Sequence, residues 1–422
     1  MSQSNVVDKH STSVSLLIGE SKEAQLPVRD WILLPVLSLL TFGIIAVSTE
    51  AIALKMFPAY GDMKKCLVWD DPSTGVRGIP NCVCQEKIPE GQPVEYRFNN
   101  CGDYTEVPCG PKSPGVYRIV MAGTSFPVGL GVTREKTFAI LLPQELSRRL
   151  GRKVELYNAS LPRKSPRIID LRFNEMLGLK PDLILLALNY SDIQLATLAA
   201  PSDYVPENVS PPAPANDSEG DSAQTMRSKL AKLRAKAKSA VLTVLHKVNN
   251  SWTGSRSYVL LTDFVAVAQS QSQLLKRNRT SEGQYLSAVP SQARLMHLKE
   301  FDGYAADMED RARAAGVPVV VTLLPTRIQS VMISAGQWPP DIDPFQFSNQ
   351  VRSIVEGHGG TYIDILPDFR AIPNAEQGFF AADGHFNEEG HALMTALLAK
   401  ELTGGAVPAL TSGTQVSVAL GR

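Results

Sequence analysis

Nineteen consecutive residues carry no charge, Trp31 to Thr49 (WILLPVLSLLTFGIIAVST), and apolar side chains continue past Glu50 to Ala53. A helix of that length crosses the hydrocarbon core of a bilayer, whereas a buried helix of a soluble core would be shorter and would show a polar face. Pro35 near one end is tolerable in a membrane span. The run therefore predicts a transmembrane anchor over residues 31–53 behind an N-terminal cytoplasmic tail, residues 1–30. Ala51-Ile52-Ala53 resembles a small-residue cleavage site, but the thirty residues ahead of the apolar run are long for a signal peptide, so an uncleaved anchor is expected.

Flanking charges (Lys22 and Arg29 before, Lys55, Lys64 and Lys65 after) lean weakly toward the opposite orientation. The cysteines outweigh them. Cys66, Cys82, Cys84, Cys101 and Cys109 all fall in one segment, residues 54–112, and the rest of the chain has none. Such clustering fits local stapling by disulfides in an oxidising compartment, with an odd thiol left over. A zinc site is the competing reading, but the segment has no histidine and only one Cys-x-Cys pair. The expected protein is thus single-pass, with its main domain outside the cytoplasm, periplasmic or extracellular. Basic and acidic residues cancel at 42 each, which removes the field that nucleic-acid binding would need.

Beyond the cysteines, short apolar runs recur: YRIVMA (117–122), KVELYN (153–158), DLILLAL (182–188), VPVVVTLL (317–324) and TYIDIL (361–366). They are continuous rather than alternating, as strands covered on both faces are. Amphipathic stretches lie between them, for instance Phe138, Leu142, Leu146 and Leu150, and later Leu295 to Ala314. The βαβα rhythm predicts an α/β fold, a doubly wound parallel five-stranded sheet flanked by helices, over residues 113–405. Residues 201–290 interrupt it with a Pro/Ser/Asn-rich loop and a helical insertion, and residues 406–422 form a C-terminal tail. The insertion's basic helix (MRSKLAKLRAKAK) offers either a face for anionic polymers or lipid headgroups or ordinary solvated lysines.

Six histidines narrow the search for a base. His385 sits in ADGHFNEEGH, two residues after Asp383 and just before Asn387, which is placed to cap a helix. An imidazole oriented by a carboxylate can take a hydroxyl proton and return it to a leaving group. A structural histidine, or a metal held by Asp383, His385 and His391, are the other readings of the same residues. Ser125, in YRIVMAGTSFPVGLGV, follows the first strand, where open α/β sheets bind their ligands, and Gly123 lets the chain turn sharply before it. An ordinary Gly/Ser turn is the alternative. Neither a P-loop ending nor a G-x-G-x-x-G is present.

In this order, over roughly residues 95–402, the motifs resemble the SGNH/GDSL-type hydrolases and acyltransferases. Gly123-Thr124-Ser125 resembles their Gly-Asp-Ser block, and YNASLP places Ser160 at the backbone oxyanion donor. PDLILLALNYSD resembles their third block, with Asn189 at its glycine and Ser191 at its asparagine, and ADGHFNEEGH supplies Asp383 and His385. Thr124 and Ser191 are departures from the family pattern. The Asp-x-His spacing is similar to that of the membrane-anchored bacterial branch acting on exported polysaccharides.

The resemblance implies a Ser125-His385-Asp383 triad with an oxyanion held by the N–H groups of Ser125 and Ser160, helped by Asn189 or Ser191. It implies a serine esterase or O-acyltransferase acting on an acylated, for example acetylated, glycan, lipid-linked sugar or small ester. No cofactor, metal or nucleic acid is implied; the membrane and polysaccharide-biosynthesis components are the expected partners. Ser191 for asparagine also admits a weak or inactive membrane-anchored component that binds exported polysaccharide. His297 and His358 are read as surface structural residues, Arg327 as reaching either ligand or solvent, and the sequons at Asn208, Asn216, Asn249 and Asn278 are without assigned meaning.

Overall fold

The computed structural model describes residues 27–56, 63–71, 75–88, 90–195, 255–258, 260–261 and 285–411. Most of the N-terminal tail, most of the expected insertion with its basic helix, the four sequons and residues 412–422 lie outside the described residues. The chain divides into two compact units, Met1–Met56 and Phe57–Arg422.

In the first unit, helix α1 runs Val28–Met56, with Pro35 inside it, and is long and apolar enough to cross a membrane. It extends beyond the expected span at both ends. Asp30 in its first turn and Lys55 in its last match the helix dipole. The Thr41 hydroxyl donates to the Leu37 carbonyl at 2.8 Å, giving the polar group a partner within the helix.

The second unit opens with two antiparallel hairpins, β1 (Leu67–Asp71) with β2 (Gly75–Gly78), and β3 (Val83–Glu86) with β4 (Val94–Arg97). Disulfides join Cys66 to Cys82 and Cys101 to Cys109, and Cys84 is buried outside both. Two-stranded hairpins have little core of their own. Here Cys66, Cys84, Val94 and Tyr96 share a core with Val128 and Leu161, so the cysteine-rich segment packs directly on the α/β portion.

That portion contains β5 (Tyr117–Ala122), α2 (Ser125–Val128), α3 (Phe138–Leu150), β6 (Val154–Asn158), α4 (Pro166–Leu171), α5 (Phe173–Gly178), β7 (Leu183–Leu188) and α6 (Tyr190–Leu195). After the insertion come α7 (Gln292–Ala314), β8 (Val319–Leu323), α8 (Arg327–Ala335), α9 (Gln346–Gly357), β9 (Thr361–Tyr362) and α10 (Glu388–Glu401). Strands β5 to β9 form one five-stranded sheet in the order β6-β5-β7-β8-β9, parallel throughout.

Alternation within the apolar runs builds a core on each face. Ile119, Met121, Leu183 and Leu185 pack with Phe138, Leu142 and Leu146 of α3 and with Met394 and Leu398 of α10. Val120, Ala122, Ile184 and Leu186 pack on the other face with Phe301, Ala305 and Met308 of α7 and with Val351 and Val355 of α9. Each of the larger side chains (Val, Ile, Leu, Met, Phe) contributes about 1.5–3 kcal/mol by burial.

The last strand is shorter than its apolar run. The strand over 361–366 stops after Tyr362, because the Asp364 carboxylate accepts the Leu366 N–H at 3.2 Å and pairs with Arg352 at 2.5 Å, turning the chain toward Pro367. Val407 and Leu410 are core residues.

Candidate active site

The strand order reverses direction at the β5/β7 pair, and crevices outside the carboxyl ends of strands at such a point are where open α/β sheets bind ligands. Ser125 follows β5 there. Gly123 is required by close approach: a Cβ at this position would stand 2.2 Å from the Ala187 carbonyl oxygen of β7. The one-turn helix α2 then starts at Ser125 and stops at Gly129, whose φ of 74° is left-handed and whose N–H donates to the carbonyls of Ser125 and Phe126. Asn158, at the end of β6, donates its amide to Pro127 O at 2.9 Å and steadies the turn.

His385 and Asp383 arrive from the loop ahead of α10. Gly384 adopts φ 85°, a conformation that disfavours other residues. The loop is closed by the Phe380 N–H donating to His385 O at 2.8 Å, and Asn387 caps α10 by accepting from the Gly390 N–H at 3.0 Å. The Phe126 ring lies 4.8 Å from the His385 ring and fixes one side of the imidazole.

Across 260 positions of sequence, His385 Nε2 stands 2.7 Å from Ser125 Oγ, and His385 Nδ1 stands 2.5 Å from Asp383 Oδ1. Burial pushes the Asp383 carboxyl up, but hydrogen bonds from the His385 ring and backbone and the nearby imidazole charge outweigh it, and the carboxyl is held below its ordinary value. An ionised Asp383 accepts a hydrogen bond from Nδ1–H, which leaves Nε2 as the acceptor facing the Ser125 hydroxyl. Hydroxyl, imidazole and carboxylate thus form a continuous hydrogen-bonded chain.

The remaining sequence candidates are engaged elsewhere. Asn189 Nδ2 donates to Leu324 O at 2.9 Å, and its Oδ1 accepts both the N–H and the hydroxyl of Ser191 at 3.1 Å. Ser160 is fully buried, and its N–H donates to Asn158 Oδ1 at 3.1 Å. His391 is turned into the core against Phe138, where Nδ1 accepts the Phe138 N–H at 3.2 Å and burial pushes the ring down to about 3. Among the described residues no group of three His, Cys, Asp or Glu side chains is arranged to hold a metal.

Arg327 donates to the Ala381 carbonyl at 2.7 Å, within the loop that carries Asp383. His297 is buried rather than on the surface, its Nδ1 3.2 Å from the Tyr285 hydroxyl, and His358 pairs with Asp302 at 2.8 Å.

Two further carboxylates join the site without having been singled out in sequence. Asp192, 1% exposed, accepts the Thr124 hydroxyl at 2.5 Å and the Asn189 N–H at 2.8 Å. Burial pushes it up to about 7 against those two hydrogen bonds. It ties the residue before Ser125 to the turn after β7; an acid closing LILLALNYSD, shortly after a wholly apolar strand, was the available signal. Glu90, between β3 and β4, reaches the backbone of residues 381–383.

No protein-family model matches the chain, and no curated protein matches it. In structure it is similar to lipases, esterases and acylhydrolases, including GDSL-like ones. TesA is 14% identical with a TM-score of 0.34, over 68% of this chain and 99% of that chain. The psychrotrophic esterase EstA from Pseudoalteromonas sp. is 11% identical with a TM-score of 0.33, over 68% and 97%. An acetyl-xylooligosaccharide esterase from Geobacillus is 9% identical with a TM-score of 0.35, over 68% and 94%.

Proposed function

We propose that this protein is a membrane-anchored serine esterase or O-acyltransferase of the SGNH/GDSL type, acting outside the cytoplasm on an acylated glycan or lipid-linked sugar. The observation that carries the reading is the Ser125–His385–Asp383 chain, with its 2.7 and 2.5 Å contacts at the carboxyl edge of the sheet. Helix α1 and the two disulfides support tethering and an oxidising compartment.

In this reading, His385 takes the Ser125 proton as Oγ attacks the acyl carbonyl, and Asp383 holds the imidazolium that forms. The tetrahedral intermediate collapses, the imidazolium proton passes to the departing alkoxide, and an acyl-serine remains. Water or a sugar hydroxyl then attacks the acyl carbon, giving its proton to His385; the acyl–Oγ bond breaks, the free acid or acylated sugar leaves, and His385 returns the proton to Ser125 Oγ. The N–H groups of Ser125 and Ser160 are the proposed oxyanion donors, the latter exchanging its 3.1 Å bond to Asn158 Oδ1 for the substrate. Asn189 or Ser191 assists only if it leaves its present partner.

The test uses the full chain in detergent with a fluorophosphonate probe and p-nitrophenyl acetate. Labelling and turnover that vanish in Ser125→Ala support the enzyme. A second reading, a non-catalytic polysaccharide-binding component, is favoured by the commitment of Asn189 and Ser191 to each other and to Leu324 O. It predicts glycan binding with neither labelling nor turnover.

A further inference from the structure

The hairpin of β3 and β4 contacts the loop that follows α2 and the loop that carries Asp383. On the nucleophile side, Tyr96 of β4 accepts the Gly131 N–H at 3.1 Å through its hydroxyl, just beyond the turn that ends α2. On the acid/base side, Glu90 Oε1 accepts the Ala381 N–H at 2.7 Å, and Oε2 accepts the N–H groups of Ala382 at 2.6 Å and Asp383 at 2.9 Å. Three successive N–H groups converging on one carboxylate form an anion-binding nest.

Glu90 is held in place for this. A Cβ on the next residue, Gly91, would meet Gly131 O at 3.0 Å and Ile88 Cγ1 at 2.7 Å, so this part of the hairpin lies against the loop after the nucleophile. From β8's end, Arg327 donates to the Ala381 carbonyl at 2.7 Å. The segment bearing Asp383 is therefore gripped by a carboxylate at its N–H groups and by a guanidinium at a carbonyl.

We infer that Glu90 is a positioning residue of the active site, holding residues 381–383 so that Asp383 orients His385 toward Ser125; the cysteine-stapled hairpin is thereby part of the catalytic apparatus. This rests on the esterase reading for its kinetic consequence. Glu90 bonds to backbone N–H groups and not to the side chains of Ser125 or His385. Its effect passes through the Asp383 backbone, whose side chain meets His385 Nδ1 at 2.5 Å, and a displacement of about 1 Å at reacting groups costs on the order of a hundredfold in rate.

The experiment compares full-length wild type, Glu90→Gln, Glu90→Asp and the exposed hairpin control Glu95→Gln in detergent, by p-nitrophenyl acetate kinetics, fluorophosphonate labelling rate and the low-field NMR signal of the His385 Nδ1–H proton. Glu90→Gln puts an amide donor against the N–H groups. It is expected to lower kcat by roughly a hundredfold, with KM little changed, slow labelling in proportion, and shift or abolish the NMR signal while the protein stays folded. Glu90→Asp restores most of kcat, and Glu95→Gln leaves kcat and the signal unchanged.

A Glu90→Gln protein that keeps kcat and the wild-type resonance overturns the inference, as does a loss that merely follows the unfolded fraction. If wild type itself neither turns over nor labels, the esterase reading fails. The His385 resonance in wild type and Glu90→Gln then still decides whether Glu90 sets the Asp383–His385 contact.

Discussion

Replacing Asp383 by asparagine removes a charge without changing shape, and so isolates what the carboxylate does. With Nδ1 and Oδ1 2.5 Å apart, the imidazolium and carboxylate charge centres sit roughly 4 Å apart. At an effective dielectric near 20 that attraction is about 4 kcal/mol, which corresponds to about three decades in rate if it is felt only once His385 has taken the serine proton. The amide adds a second penalty: its NH2 can donate to Nδ1, which places the ring proton on Nε2 and removes the acceptor facing Ser125.

Asp383→Asn should therefore lose about a thousandfold or more in kcat with KM within a few-fold, measured with p-nitrophenyl acetate on the full chain. Because the carboxyl of the native protein is held below its ordinary value, the deficit should persist across the neutral range. Fluorophosphonate labelling should slow in parallel, since it needs the same activated hydroxyl. A folded Asp383→Asn protein within tenfold of wild type would refute the argument, and His385 would then be oriented without charge stabilisation.

Asp192 gives a pH test. Its carboxyl is raised from an ordinary value of 3.8 to about 7 by burial, so the folded state holds more protons than the unfolded one between those values, and this group's contribution to stability falls as pH rises through that window, by at most about 1.4 kcal/mol per pH unit. In chemical denaturation, the stability difference between Asp192→Asn and wild type should move in the variant's favour from pH 5 to pH 8; a constant difference would show that the carboxyl does not titrate there. Gly123→Ala places a methyl group 2.2 Å from Ala187 O, and should cost about 1–3 kcal/mol with reduced labelling of Ser125. Thermal melting indistinguishable from wild type would contradict the close approach.

The sheet was legible because β5, β7 and β8 are buried on both faces and so read as unbroken apolar runs. The last strand was not, since its shortness is set by Asp364 pairing with Arg352 on a neighbouring helix, a tertiary event. The residues of the proposed triad were picked out for a local reason: Gly123 before Ser125 and the capped Asp383-x-His385 turn each carry their geometry within a few residues. The reading of Asn189 or Ser191 as donors came from position in the motif alone. It did not show that Leu324 O, 135 positions away, engages the Asn189 amide.

The carboxylates that the reading passed over differ in why they were hidden. Asp192 sits three residues from Asn189, in α6 just beyond the buried strand β7, so its place at the end of PDLILLALNYSD was the available signal. Glu90 lies in a polar turn of a cysteine-rich segment, and its partners are backbone N–H groups 291 to 293 positions later. Backbone groups have no sequence signature, so no spacing rule can anticipate such a contact. The cysteines supplied only an indirect clue, since disulfides constrain the chain around a hairpin whose packing on Val128 and Leu161 brings Glu90 to the loop. The Glu90 variants separate a stapled segment that braces the candidate site from one that only links the apolar helix to the α/β portion.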